Sequence, residues 1–129
     1  MPVQIPEDLR YTENHEWVRL EGDGAVVVGI SEYAQDALGD IVYVDLPDIG
    51  RSVKAGESIA EVESTKSVND VYAPISGVVA TVNEPLMDAP ELVNTDPFGA
   101  GWFVTLTPAE GETLETLMDA VAYATFTEE

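Results

Sequence analysis

The sequence predicts a mainly β fold, two small sheets closed on each other as a barrel-sandwich hybrid, with short helices and one helix at the C-terminal end. Three observations carry that expectation. Short runs of strand-forming residues recur along the chain, each bounded by Gly, Pro, Asn or Asp. The pattern Val44-x-x-Pro47-x-x-Gly50 returns 27 residues later as Val71-x-x-Pro74-x-x-Gly77, as two halves of a small sandwich turning matching corners would require. Near the C-terminal end the period changes: Leu114, Leu117, Met118 and Val121 stand at helical spacing and make one apolar stripe to lie on a sheet. With 129 residues, 45% of them hydrophobic, the chain is read as a single domain over 1–129 that folds alone.

Taken in order, Ile5-Pro6 and Leu9 form an irregular lead-in, and Tyr11 to Val18 enters the first strand. The polar turn Glu21 to Gly24 joins Trp17–Leu20 to Ala25–Ile30 as a hairpin. Ser31 to Gly39 reads as a short helix with Ser31 as N-cap, Glu32 in the first turn and Gly39 at the left-handed position past the end. Ile41 to Leu46 is a strand halted by Pro47, and Ser52 to Glu57 is a connector into the strand Ser58–Glu63. Val78–Val82 and Trp102–Thr107 are the last strands. The Asn83–Gly101 connection between them has a capping-box pattern, Asp88-Ala89-Pro90-Glu91, for a single short turn through Leu92-Val93. The final helix is placed from about Glu112, because Gly111 interrupts the better cap at Thr107-Pro108-Ala109-Glu110.

One stretch stands apart, Val62 to Gly77, VESTKSVNDVYAPISG. A strand run reaches Glu63, a polar break follows at Ser64-Thr65-Lys66-Ser67, and a second run leaves from Val68 to Ala73. This is a β-hairpin with a lysine at its tip. Neither Thr65 nor Lys66 is Gly or Asn, so the primed turns that need positive φ are disfavoured, and a type I or slightly longer loop is expected. A lysine on a surface turn is ordinarily a solvated charge. Here it is one of only two lysines, with Lys54, and it neutralises nothing obvious on an acidic and apolar hairpin. An extended amine on a stiff tip, flanked by small residues, suits an enzyme that must reach around it to acylate it.

Glu63-Ser64-Thr65-Lys66-Ser67 followed by Ala73-Pro74-Ile75-Ser76-Gly77 resembles the lipoyl-attachment hairpin of the H protein of the glycine cleavage system. The resemblance extends to His15-Glu16-Trp17-Val18 and to Asn94-x-Asp96-Pro97 ahead of Gly101-Trp102. Biotinyl carrier domains place methionines on both sides of the lysine, where this chain has Thr65 and Ser67. The lipoyl domains of 2-oxoacid dehydrogenases usually carry an Asp-Lys-Ala turn and are shorter.

The resemblance implies a non-catalytic carrier of the lipoyl/biotinyl-carrier type, with lipoate joined covalently to Lys66. It implies a relay of partners. A pyridoxal-phosphate glycine decarboxylase loads an aminomethyl group, a tetrahydrofolate-dependent aminomethyltransferase removes it, and a flavin dihydrolipoyl dehydrogenase reoxidises the dithiol. A lipoate-attaching enzyme must act first. The resemblance also places Asn14, Glu16 and Asp70 at the cleft that docks the loaded arm; the family often has serine where this chain has Asn14. Two other readings stand beside it: a lipoyl carrier or lipoate donor for 2-oxoacid dehydrogenase complexes, and an unmodified β-sandwich interaction module.

Composition narrows the field further. Twenty-five acidic against five basic residues give a formal charge of −20, which repels nucleic acid phosphates and anionic membrane surfaces. Self-repulsion of that size is screened by salt, which points to a salt-rich cytoplasm. There is no cysteine, so no disulfide, thiolate metal site or thiol nucleophile is available, and redox chemistry must come from an added group. His15 is the only histidine; without partners it makes a poor metal site and reads as a structural or exposed residue beside a core Trp17. No recognisable nucleophile with a base points to an enzyme. The opening residues lack an apolar run or a basic amphipathic stretch, so no targeting segment is expected and the location is read as cytoplasmic.

Overall fold

The structure is a computed structural model and describes residues 8–22, 24–112, 114 and 117–127. Among the described residues, nine strands form two antiparallel sheets. The first five are β1 (Arg10–Tyr11), β2 (Glu16–Leu20), β3 (Val26–Ile30), β4 (Ile41–Asp45) and β5 (Ser52–Val53). The hairpin strands are β6 (Ser58–Ser64) and β7 (Val68–Tyr72), followed by β8 (Gly77–Val82) and β9 (Val104–Pro108). The larger sheet has the order β1-β2-β3-β9-β8-β5 and the smaller β4-β6-β7. Four helices accompany them: α1 (Glu32–Leu38), α2 (Pro85–Asp88), α3 (Leu92–Thr95) and α4 (Ala120–Thr127).

The period-2 strands bury one face each between the sheets. Val18, Val26, Val28, Val44, Ile59, Val62, Val71, Val79, Phe103 and Leu106 meet in one core, while the outward positions of β6, Glu61 and Glu63, stay in water. A second core gathers Tyr11, Trp17, Val27 and Tyr123, so α4 packs on the outer side of the larger sheet. The Trp17 indole lies directly on Gly29, where a β carbon would come within 2.6 Å of the ring, and its Nε1 donates to the Pro97 carbonyl at 2.8 Å. The Asn-x-Asp-Pro segment seen in the sequence is thus the far anchor of the tryptophan.

The repeated Pro-x-x-Gly corners are real neighbours. The chain leaves β4 through Pro47 and Gly50 into β5, and leaves β7 through Pro74 and Gly77 into β8; β5 and β8 then pair, with Ser52 opposite Val78 and Val53 opposite Gly77. Ser52-Val53, expected to be a plain connector, is therefore a short edge strand. Two residues carry too little period to announce a strand.

Three other expectations are corrected. The Asn83–Gly101 connection contains two short helices, not one. Asp88 closes the first of these instead of capping the second, because Pro85 at its first position supplies a ready helical φ. The C-terminal helix begins at Ala120, with Asp119 Oδ1 accepting from Ala122 N at 2.8 Å. Residues 113, 115 and 116 of the expected helix lie outside the described residues. Val121 is 76% exposed and Tyr123 takes the buried position, while Met118 bridges to Tyr11 as an extended residue, with N–H···O bonds of 2.8 and 3.0 Å. The apolar stripe is core as expected at Leu114, Leu117 and Met118, but sheet pairing of Met118 overrides the helical period there. Among the described residues no helix is long and apolar enough to cross a membrane, and no cluster of side chains could hold a metal.

Candidate functional site

The hairpin of β6 and β7 holds its tip with one buried side chain. Ser64 N donates to Ser67 O at 2.8 Å, and Ser64 Oγ accepts from the backbone N–H groups of Lys66 and Ser67, both at 3.2 Å. A serine hydroxyl thus closes the turn that glycine or asparagine closes in primed hairpins. Thr65, Lys66 and Ser67 form the loop, and all three are exposed.

The tip does not stand free of the body. Thr65 N donates to Asp40 O at 3.2 Å, which ties the loop to the corner between α1 and β4. Ser31 caps α1 through Ala34 N, as expected, and Gly39 ends it at φ +84°. Asn94, on α3, then fixes this corner: its Oδ1 accepts from Ile41 N at 2.8 Å, and its Nδ2 donates to Gly39 O at 2.9 Å and Gln35 Oε1 at 2.8 Å. The methylene stem of Lys66 passes over Gly39, so a β carbon there would stand 3.0 Å from Cε. The amine is therefore exposed on a loop fixed from three sides.

Beside the tip lies a cavity of about 400 Å³. Its apolar wall comes from Ile30, Ala34, Leu38, Val62 and Val71, and its polar mouth from Glu13, Asn14, His15, Glu16, Ser67, Asn69 and Asp70. The three predicted docking residues are brought together on it. Their environments differ. Glu16 is 2% exposed, accepts from Tyr72 N at 3.2 Å and shares a short hydrogen bond with Thr12 Oγ1. Burial pushes its carboxyl up, against the pull of those two bonds. Asp70 and Asn14 are exposed at the mouth, and Asp70 Oδ1 accepts from Ser58 Oγ at 3.0 Å. Lys66 is not itself a wall of the cavity; its neighbour Ser67 is.

The polar corner of this cavity is shaped by the turn Thr12 to Glu16. His15 adopts φ +67°, a left-handed conformation uncommon outside glycine. The turn closes with Thr12 N donating to Glu16 O at 2.9 Å and His15 N to Thr12 O at 3.0 Å, and Ser31 N donates to His15 O at 2.8 Å. His15 is thus structural, as its isolation in the sequence suggested. Three contributors were not visible beforehand: Ser64, Asn94 and Tyr123, whose hydroxyl lies 2.7 Å from His15 Nδ1. Asn94 sat in plain view in the Asn-x-Asp-Pro motif; its reach of more than fifty residues to the α1 corner could not be read from spacing.

A further cavity of about 430 Å³, lined by Asp8, Arg10, Val18, Leu20, Val26, Ile75, Pro108, Glu112 and Leu114, shares no residue with the hairpin tip. Its size is similar, but it lies away from the tip, whereas Ser67 beside Lys66 lines the other cavity.

The chain as a whole is similar to known proteins. The family model described as "Glycine cleavage H-protein" matches residues 9–129. A glycine cleavage system H protein from Anaeromyxobacter sp. (strain K) is 58% identical over 127 residues, 98% of each chain. That of Halorhodospira halophila is 57% identical over 120 residues, 93% of this chain and 92% of the relative. The crystal structure of a glycine cleavage system H protein from Mycobacterium marinum superposes with a TM-score of 0.86 at 46% identity, covering 97% of this chain and all of that one.

Proposed function

The chain belongs to the glycine cleavage H-protein family, and from that premise we propose that it is the lipoyl carrier of the glycine cleavage system, with Lys66 as its attachment residue. The observation that carries the assignment of Lys66 is its exposure on a fixed hairpin tip beside a cavity of about 400 Å³, within the range of small-molecule sites. The residues present fit a lipoyl arm. The stem has room to extend away from Gly39, the cavity wall is apolar enough for a dithiolane, and the mouth is acidic. When bound, the lipoyl group supplies the disulfide–dithiol couple that this cysteine-free chain lacks and carries the aminomethyl group of glycine.

The chain's own residues do the rest. Acylation removes the Lys66 charge, and an arm of about ten bonds at roughly 1.5 Å each gives a reach on the order of 10 to 15 Å. The tip can therefore serve an active site in another protein while the carrier stays outside it. Back at home, Ile30, Leu38, Val62 and Val71 exclude water from the cavity, and Glu16 and Asp70 offer carboxylates to a cationic cargo, with Asn14 as a polar partner. The partners in this reading are glycine decarboxylase, aminomethyltransferase, dihydrolipoyl dehydrogenase and a lipoate-attaching enzyme. The protein is a non-catalytic single carrier domain, placed in the cytoplasm with them.

The test is direct. Intact and peptide mass spectrometry of protein from its native host should find the lipoyl group on Lys66, and the Lys66→Arg variant should fold normally and accept nothing. Loading of the lipoylated protein from labelled glycine by the decarboxylase should follow. Acylation by a 2-oxoacid decarboxylase instead, with no loading from glycine, would reverse the reading in favour of 2-oxoacid dehydrogenase complexes.

A further inference from the structure

The last helix reaches His15, a residue lining the cavity, through the Tyr123 hydroxyl. Tyr123 Oη lies 2.7 Å from His15 Nδ1 and 2.7 Å from Ser31 Oγ, and Ser31 Oγ already accepts the N-cap bond from Ala34 N at 3.1 Å. A phenol and a serine hydroxyl each own one proton, and Tyr123 can donate to only one of its two neighbours, so this chain can run in three directions. If His15 donates from Nδ1, either Tyr123 donates to Ser31 and the serine proton finds no acceptor among the described residues, or Ser31 also donates to Tyr123 and the phenol proton finds none, in side chains 1% and 0% exposed. If Ser31 donates to Tyr123 and Tyr123 donates to His15, every proton is used. This last direction leaves Nδ1 bare.

We propose that Ser31, Tyr123 and His15 form a one-way hydrogen-bond relay that holds the imidazole neutral with its proton on Nε2, making Tyr123 a positioning residue for the cavity. This inference rests on the carrier reading above for its purpose, though not for its proton count. The surroundings hold the relay in place. The Tyr123 ring stacks on Tyr11 with centroids 4.4 Å apart and 6° between planes, and His15 is flanked by Tyr33 at 4.6 Å and Phe126 at 5.8 Å. The ionisable groups around it are Glu13 and Glu16 on its own turn, Tyr33 from α1, Asp70 and Tyr72 from β7, and Tyr123 from α4. Burial also holds the imidazole below its ordinary pKa.

A neutral His15 matters because it lines the same cavity as Glu13, Glu16 and Asp70. A second cation at that point would compete for Glu16 with an ammonium-bearing arm. The relay keeps the mouth singly signed, so only the cargo brings positive charge to it.

His15 is the only histidine, so its ring nitrogens give the only imidazole signals in a long-range proton–nitrogen correlation spectrum of the labelled, unmodified protein. Near neutral pH the wild type should show a protonated Nε2 and a bare Nδ1, and Tyr123→Phe, which keeps the ring stack, should show both tautomers. On lipoylated protein loaded from glycine, Tyr123→Phe should release formaldehyde and ammonium to water roughly three- to tenfold faster, the size of one lost hydrogen bond. A protonated Nδ1 in the wild type overturns the relay, whatever the variant does. Unchanged release with the tautomer scrambled overturns the positioning role alone. Failure of the wild type to accept cargo overturns the carrier reading and leaves the spectrum to judge the relay.

Discussion

Lys66 Cε stands 3.0 Å from the point where Gly39 would carry a β carbon, so the residue that ends α1 is also the surface over which the Lys66 stem lies. Gly39 combines φ +84° with ψ −155°, a region open almost only to glycine. The Gly39→Ala variant should lose about 1 to 3 kcal/mol of stability in urea titration. Because the new methyl group displaces the lysine stem, acylation of Lys66 by a lipoate-attaching enzyme should slow as well. A variant with wild-type stability and wild-type acylation would show that the close approach of these residues is incidental.

Asn94 makes three hydrogen bonds to the same corner, to Ile41 N, Gly39 O and Gln35 Oε1. Asn94→Ala leaves Ile41 N and Gly39 O without these partners, and should cost about 1 to 3 kcal/mol. Amide hydrogen exchange should rise at Ile41 and at Thr65, which hangs from Asp40 next door. Increased exchange spread evenly over both sheets would mean that Asn94 supports the fold at large and not the tip.

Glu16 should oppose stability while serving the site. Its carboxyl is pushed above the ordinary value chiefly by burial, so the folded chain holds that proton more readily than the unfolded chain. Stability from this group is therefore present below the ordinary carboxylate pKa and is lost as pH climbs through the raised value. His15, held low by burial, acts in the opposite sense: its contribution is present above the ordinary imidazole pKa and lost as pH falls through the lowered one. Glu16→Gln should flatten the acid part of the pH–stability curve and keep or raise the melting temperature at neutral pH. It should also weaken retention of cationic cargo. A neutral-pH melting temperature well below wild type would show that the charge itself holds Thr12 and Tyr72 in place.

The formal charge of −20 is spread over a chain with only five cations. The cross-strand row Asp45–Glu61–Asp70 puts three carboxylates directly opposite one another on the smaller sheet, a repulsive arrangement. Molar salt cuts the screening length to about 3 Å, and the melting temperature should rise by about 4 °C for every kcal/mol of repulsion relieved. A melting temperature indifferent to salt would remove the argument for a salt-rich cytoplasm.

The features legible in the sequence were those governed by local chemistry. The hairpin tip, the Ser31 and Gly39 caps and the paired Pro-x-x-Gly corners follow from residue type and spacing within a few positions. The start of the C-terminal helix did not, because Met118 has a β partner in Tyr11, 107 positions away, and no window of sequence contains both. The cavity was legible only through family resemblance. Glu16, Asp70 and Asn14 share no periodic relation; β2 and β7 bring them together, and the deep burial of Glu16 against the exposure of the other two is a product of that meeting.

Tyr123 also sets an order of events. Synthesis completes the hairpin and its lysine more than fifty residues before the ribosome reaches the tyrosine that steadies His15. A chain trimmed ahead of that residue would keep an amine open to modification but lose the hydroxyl that contacts His15 on the cavity wall. If Lys66 carries the arm as proposed, a proteolytic nick there would turn a carrier that keeps its cargo into one that loses it to water.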